Sequence, residues 1–200
     1  TAHPRFASAD FPVWSEGTQA GPATVEGGDV QIIGNGAVLV GVSERTTSQG
    51  IERLASRLFA GGTVNRIVAV EMNRTRAQMH LDTVMTMVDV GTFTIYGGLG
   101  KLPTLTLRPD GDKQISVTRN APEDMYRVIA QALGVDELNV LITPQDSMAA
   151  AREQWDDGSN SLAIAPGVIV TYERNVNTNE YLTSHGIEVL TIPGLSLIHI

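Results

Sequence analysis

The chain has 200 residues, 42% of them hydrophobic, enough for one domain to bury a core without disulfides or a structural metal. Fourteen basic against 22 acidic residues leave a net charge of −8, which argues against a nucleic-acid partner and is compatible with a small cationic one. With no Cys there is no disulfide, thiolate metal site or thiol nucleophile within these residues, no apolar run approaches the ~20 residues of a membrane helix, and no signal segment opens the chain.

In chain order, Val30–Ile33 reads as a strand, Gly34-Asn35-Gly36 as a tight turn of residues that accept positive φ, and Ala37–Val42 as the returning strand. From Thr47 to about Phe59, Ile51, Leu54, Ala55 and Leu58 recur at helical spacing until Gly61-Gly62 stops them, and Ile67–Glu71 is a third strand. A second, less regular copy has strands at Thr83–Val88 and Thr92–Tyr96, a polar insertion from Pro103 to Asn120, a helix at Glu123–Leu133 and a strand at Leu138–Thr143. A third copy has strands at Ser161–Ala165 and Val168–Tyr172 around Pro166-Gly167, a helix from Val176 to His185 ended by Gly186, and a closing strand at Ile187–Ile192. Asp29 and Asn160 stand at similar places before the first strand of their copies, and Arg45 and Arg174 follow the second. Three ββαβ copies predict a single α/β domain in which each unit packs on its neighbour.

Three clusters carry chemistry-bearing side chains. Glu26-Gly27-Gly28-Asp29 sets two carboxylates around a flexible Gly pair ahead of a strand, suited to gripping a cation or to acid–base work, though a solvated turn has the same composition. His80-Leu81-Asp82 places imidazole and carboxylate two residues apart, on one face if the segment is a strand; the pair alone is too few ligands for a metal, and a lone His is more often structural. In Ser43-Glu44-Arg45-Thr46 the Arg offers a planar fork for a carboxylate, or is a surface residue beside Thr46 or Thr47 as helix cap. Met79, Met85 and Met87 read as core packing, and His185 as a complement to a helix C-terminus. Gly34-Asn35-Gly36 joins strands, so it is no phosphate loop.

Taken together, Glu26–Val30, Gly34–Arg53, the run from Arg76 through His80-Leu81-Asp82 to Asp89, Arg152–Gly158, Ala165–Val168 and Gly186–Gly194 resemble bacterial arginine deiminases. The resemblance extends from His3 to Gly194 and implies the pentein fold, an α/β propeller of ββαβ units, left incomplete by this chain. It implies a cytoplasmic enzyme that hydrolyses the guanidinium of L-arginine to L-citrulline and ammonia with no metal or organic cofactor, and it leaves room for a homo-oligomer. The matching motifs imply that Glu26 holds the guanidinium, His80 is the general acid/base, Asp82 contacts the substrate nitrogens, Arg45 binds the α-carboxylate and Asp29 supports the site. The family's nucleophile is a Cys in a loop following a segment like Thr191–Gly194, and here Leu195–Ile200 follows instead. Ser196, an unactivated hydroxyl, is a poor substitute. Residues 1–194 are therefore expected to be a partial catalytic propeller, inactive alone, and 195–200 a tail foreign to the family. Two rivals are an agmatine or dimethylarginine hydrolase and a non-catalytic pentein-type binding module such as a ribosome-associated factor.

Overall fold

The structure, a computed structural model, describes residues 4, 12–15, 21–75, 78–111 and 114–194. The first unit begins with β1 (Val30–Gly34) and β2 (Ala37–Val42), an antiparallel pair turned through Gly34, Asn35 and Gly36, all at positive φ. Thr47 then accepts from the Gly50 backbone N–H and caps α1 (Ser48–Ala60), which returns the chain to β3 (Arg66–Glu71), parallel to β2. The near-continuous apolar runs of β2 and β3 follow from burial on both faces. Val38, Val40, Ile67 and Ala69 face α1, with Ile51 and Ala55, whereas Ala37, Leu39, Val68 and Val70 face the second unit.

That unit comprises α2, a single turn at Leu81–Val84, then β4 (Met85–Asp89) and β5 (Thr92–Ile95) antiparallel. It resumes after residue 120 with α3 (Met125–Leu133), capped by Gly134 at φ 77°, and β8 (Asn139–Leu141) parallel to β5. Phe93, Met85, Met125 and Ile129 fill the space between the two units. The segment read as a polar insertion is instead a hairpin, β6 (Thr104–Asp110) and β7 (Gln114–Asn120), that leaves its own unit and extends the first sheet to the order β1-β2-β3-β6-β7. Leu105 and Leu107 add to the α1 side of that sheet. Pro109 is tolerated because β3 pairs only with Thr104 to Leu107, so no ladder bond is lost to it on that side.

Helix α4 (Ser147–Trp155), capped by the Asp146 side chain, leads into the third unit: β9 (Leu162–Ala165), β10 (Val168–Tyr172), α5 (Val176–Ser184) and β11 (Glu188–Ile192), in sheet order β11-β10-β9. Each unit has one antiparallel pair, a helix and a parallel third strand, so the ββαβ repeat expected from sequence is present three times. The third unit docks on β4 through a smaller core of Val88, Leu141, Ile169, Leu182 and Ile187. On the opposite face of its sheet, Leu162, Ile164, Leu190 and Ile192 are exposed. Among the described residues no helix is long and apolar enough to cross a membrane.

Candidate active site

Asp29 is fully buried at the mouth of β1, in a 3-10 turn over Gly27–Asp29. Its carboxylate accepts from Ser43 Oγ at 2.7 Å and from the Leu81 backbone N–H at 3.0 Å. Space for it exists because residue 41 is Gly: a Cβ there would stand 2.6 Å from Asp29 Oδ1. Ser43 Oγ also accepts from the N–H groups of Arg45 (3.1 Å) and Thr46 (3.0 Å), and Thr46 Oγ1 accepts from Glu26 N–H at 3.0 Å. One buried carboxylate therefore ties together the Glu26 turn, the Arg45 corner and the His80–Asp82 segment.

That last segment is not a strand. His80 is the N-cap residue of α2 and Asp82 lies in its first turn, so the two do not share a strand face. Packing brings both to the site: His80 Nε2 hydrogen-bonds with Glu26 Oε2, and Arg45 Nη1 stands 3.3 Å from the same oxygen. Asp82 Oδ1 is buried and has no hydrogen-bond partner among the described residues. Gly28 makes way for this carboxylate, since a Cβ at residue 28 would lie 2.9 Å from Asp82 Oδ2. Burial pushes the Asp82 carboxyl up, and Asp29 and Asp157 add to the rise against the pull of His80. At Glu26, desolvation pushes upward, but the hydrogen bonds and charges of His80 and Arg45 outweigh it and hold the carboxyl below its ordinary value.

Sequence reasoning singled out no acidic residue in the third unit, yet the loop bearing Asp157 packs against the Asp82 turn. Asp157 is half-buried, at φ 58°, and burial raises its carboxyl, with Arg174 and His80 drawing it down and Asp156 opposing them. Its loop is fastened to the Asp82 turn: Thr86 Oγ1, 3.2 Å from Asp82 O, donates to Ser159 O at 2.8 Å, and Gln154 Nε2 donates to Thr83 O at 2.9 Å. The repeat held the signal that would have found it, because Asp157-Gly158-Ser159-Asn160 stands before β9 as Glu26-Gly27-Gly28-Asp29 stands before β1.

Other expectations divide. Met85 is buried in the core, whereas Met79 is 37% exposed and packs no core. His185 Nδ1 lies 2.7 Å from Tyr181 O at the end of α5, as a helix C-terminus complement should. A cavity of about 460 Å³ bounded by Tyr96, Pro144, Glu153 and Thr178 shares only Gly158 and Ser159 with the Asp157 loop. Glu153 within it already accepts from the N–H groups of Asn177 and Thr178 at the start of α5, a structural duty. Arg76, Ala77, Ser196 and the tail 195–200 lie outside the described residues.

Several solved structures share this fold. The inosamine-phosphate amidinotransferase of Streptomyces griseus is 16% identical, with a TM-score of 0.54 over 86% of this chain and 41% of that one. DDAH from Pseudomonas aeruginosa, a Cys-to-Ser mutant complexed with citrulline, is 17% identical, with a TM-score of 0.55 over 89% of this chain and 52% of that one. The N-terminal domain of an arginine dihydrolase from cyanobacteria, a Cys-to-Ser mutant bound to substrate, is 16% identical, with a TM-score of 0.54 over 86% and 50%. The mixed α/β fold is thus that of these enzymes, of which the chain spans about half the length or less. The family described as arginine deiminase matches residues 1–199, and the chain belongs to the arginine deiminase family.

Proposed function

We propose that the site serves hydrolysis of the guanidinium group of L-arginine to L-citrulline and ammonia, in a cytoplasmic protein whose blades close into a five-bladed propeller. The observation that carries this reading is the pairing of His80 with Glu26 beside the buried, unpartnered Asp82 oxygen, an arrangement with anionic acceptors in excess. A guanidinium is planar, cationic and rich in N–H donors, and supplies what Asp82 Oδ1 lacks. Glu26 and Asp82 grip the guanidinium, and Asp29 keeps both aimed through Ser43 and Leu81. Arg45 turns to the substrate's α-carboxylate. For that, its contact with Glu26 opens, at small cost because the two side chains are 49% and 41% exposed.

The chemistry then needs a thiolate to attack the guanidinium carbon. His80 delivers a proton to the departing nitrogen, which leaves as ammonia, and an amidino-thioether remains. His80 next takes a proton from water as it adds to that carbon, and breaking the C–S bond releases citrulline and restores the thiol. The chain contains no Cys, so in this reading the thiol comes from a segment that this sequence does not include. Family membership supports the assignment, as do relatives held with citrulline or substrate as Cys-to-Ser mutants.

Calorimetric titration of the purified chain with L-arginine, alongside a citrulline assay, tests it. Binding without turnover is expected, and Glu26→Gln and Asp82→Asn should each abolish it. Citrulline released by this Cys-free polypeptide would refute the thiol mechanism. Agmatine lacks a carboxylate, so Arg45→Ala should weaken arginine binding and leave agmatine unaffected. A chain that prefers agmatine before mutation would overturn the choice of substrate.

A further inference from the structure

The first and third units carry matching devices. In the first, Glu26 opens a four-residue turn closed by Asp29 N–H donating to Glu26 O at 3.2 Å. In the third, Asp157 opens the corresponding turn, closed by Asn160 N–H donating to Asp157 O at 3.0 Å. Each turn precedes the first strand of its unit, and each unit's second strand is followed by an Arg that meets the acidic segment. Arg45 stands 3.3 Å from Glu26, and Arg174 stands 3.4 Å from Asp156, the neighbour of Asp157. Between them sits the Asp82 turn, hydrogen-bonded to the first unit through Leu81 N–H and Asp29, and to the third through Thr86 and Ser159 O.

From this correspondence we propose that Asp157 is a specificity-determining residue of the same site, a third-unit counterpart of Glu26 that favours a cationic ligand over its neutral analogue. The inference rests on the guanidinium reading above. The Thr86–Ser159 and Gln154–Thr83 hydrogen bonds hold the Asp157 loop against the Asp82 turn, and the titratable groups that act on Asp157 electrostatically are Arg174 and Asp156 of its own unit and His80 and Asp82 of the α2 turn. Two carboxyl groups, Asp82 and Asp157, thus lie on this side of the site, and the one fixed positive charge beside them, Arg174, is already paired with Asp156 at 3.4 Å. A ligand bearing a delocalised positive charge completes their balance, while a ureido group of the same shape brings hydrogen bonds without charge. Asp157 occupies the left-handed region, which Asn also tolerates, so Asp157→Asn removes the charge and keeps the backbone.

The test is calorimetric titration of the 200-residue chain with L-arginine and with L-citrulline, for the wild type, Asp157→Asn and Glu26→Gln, with melting curves to verify folding. Asp157→Asn is expected to weaken arginine by about tenfold or more and citrulline by less than about threefold, the signature of a lost charge rather than a lost shape. Equal losses for both ligands would make Asp157 structural and overturn the inference, as would no loss for either. If Glu26→Gln abolishes arginine binding and Asp157→Asn retains the wild-type preference for arginine, the inference fails while the guanidinium reading stands. A wild-type chain without preference for arginine overturns both.

Discussion

Replacing Asp29 by Ala is the sharpest probe of how the site is held. The side chain is fully buried, and its removal strands two buried donors: the Leu81 N–H and the Ser43 hydroxyl. An orphaned buried donor costs about 1–3 kcal/mol, and the bonds lost are charge-assisted, so the two together should cost roughly 3–5 kcal/mol. Ser43 Oγ can rotate but remains the acceptor for Arg45 and Thr46 N–H, which limits its freedom to find another partner. For a domain of this size each kcal/mol lowers the melting temperature by about 2–4 °C, giving a fall of roughly 6–20 °C. Asp29→Asn keeps one acceptor for Leu81 and should lose about half as much. Melting followed by circular dichroism measures both. An Asp29→Ala protein melting within about 2 °C of the wild type would refute the bond arithmetic, because a loss below about 1 kcal/mol means neither donor was stranded.

Further outcomes follow from the same geometry. Asp82 has its carboxyl raised above the ordinary 3.8 by burial, so the folded chain holds that proton more tightly than the unfolded one. Its contribution to stability is full below 3.8 and is lost as pH rises through the higher folded value. Asp82→Asn should therefore melt higher than the wild type at pH 7 and show a flatter pH dependence above pH 3.8, and a lower melting point at pH 7 would contradict this. A Cβ on Gly50 would lie 2.1 Å from the Thr24 carbonyl oxygen, backbone that cannot step aside. Gly50→Ala should cost about 1–3 kcal/mol in urea denaturation. Gly27→Ala meets nothing within 4 Å and is the matched control, expected within about 0.5 kcal/mol of the wild type. Gly28→Ala presses only on the end of the Asp82 side chain, so it should depress arginine affinity while leaving the urea midpoint nearly unchanged.

The three units were legible because their signals are local. Positive-φ residues mark the first turn, Ile51, Leu54 and Ala55 mark the buried stripe of α1, and Gly134 and Gly186 end their helices. The hairpin after residue 103 was missed although Thr104-Leu105-Thr106-Leu107 alternates at strand period. Its polar composition reads only as an insertion from Pro103 to Asn120, and the partner that makes it a strand, β3, is some forty residues earlier. His80-Leu81-Asp82 was misjudged for a related reason. Its conformation depends on the Leu81 N–H meeting Asp29, a contact 52 residues away that no local pattern displays. Clustering of Glu26, Arg45, His80 and Asp82 could be expected from a family resemblance, but the fully buried position of Asp29 and its bonds to Ser43 and Leu81 needed coordinates.

The modest core beneath the third unit bears on timing as well as stability. Ile169, Leu182 and Ile187 meet the rest of the chain through Val88 and Leu141, whereas the first and second units share a far larger apolar cluster. Opening free energy scales with such burial, so β9, β10 and α5 should exchange their amide hydrogens before β2, β3 and α3 do. The Asp157 loop lies at the seam, tied to the second unit by Thr86 and Gln154 and leading directly into β9. A ligand that engages Asp157 together with Glu26, as proposed above, should therefore slow exchange in β9 and β10 by mass action.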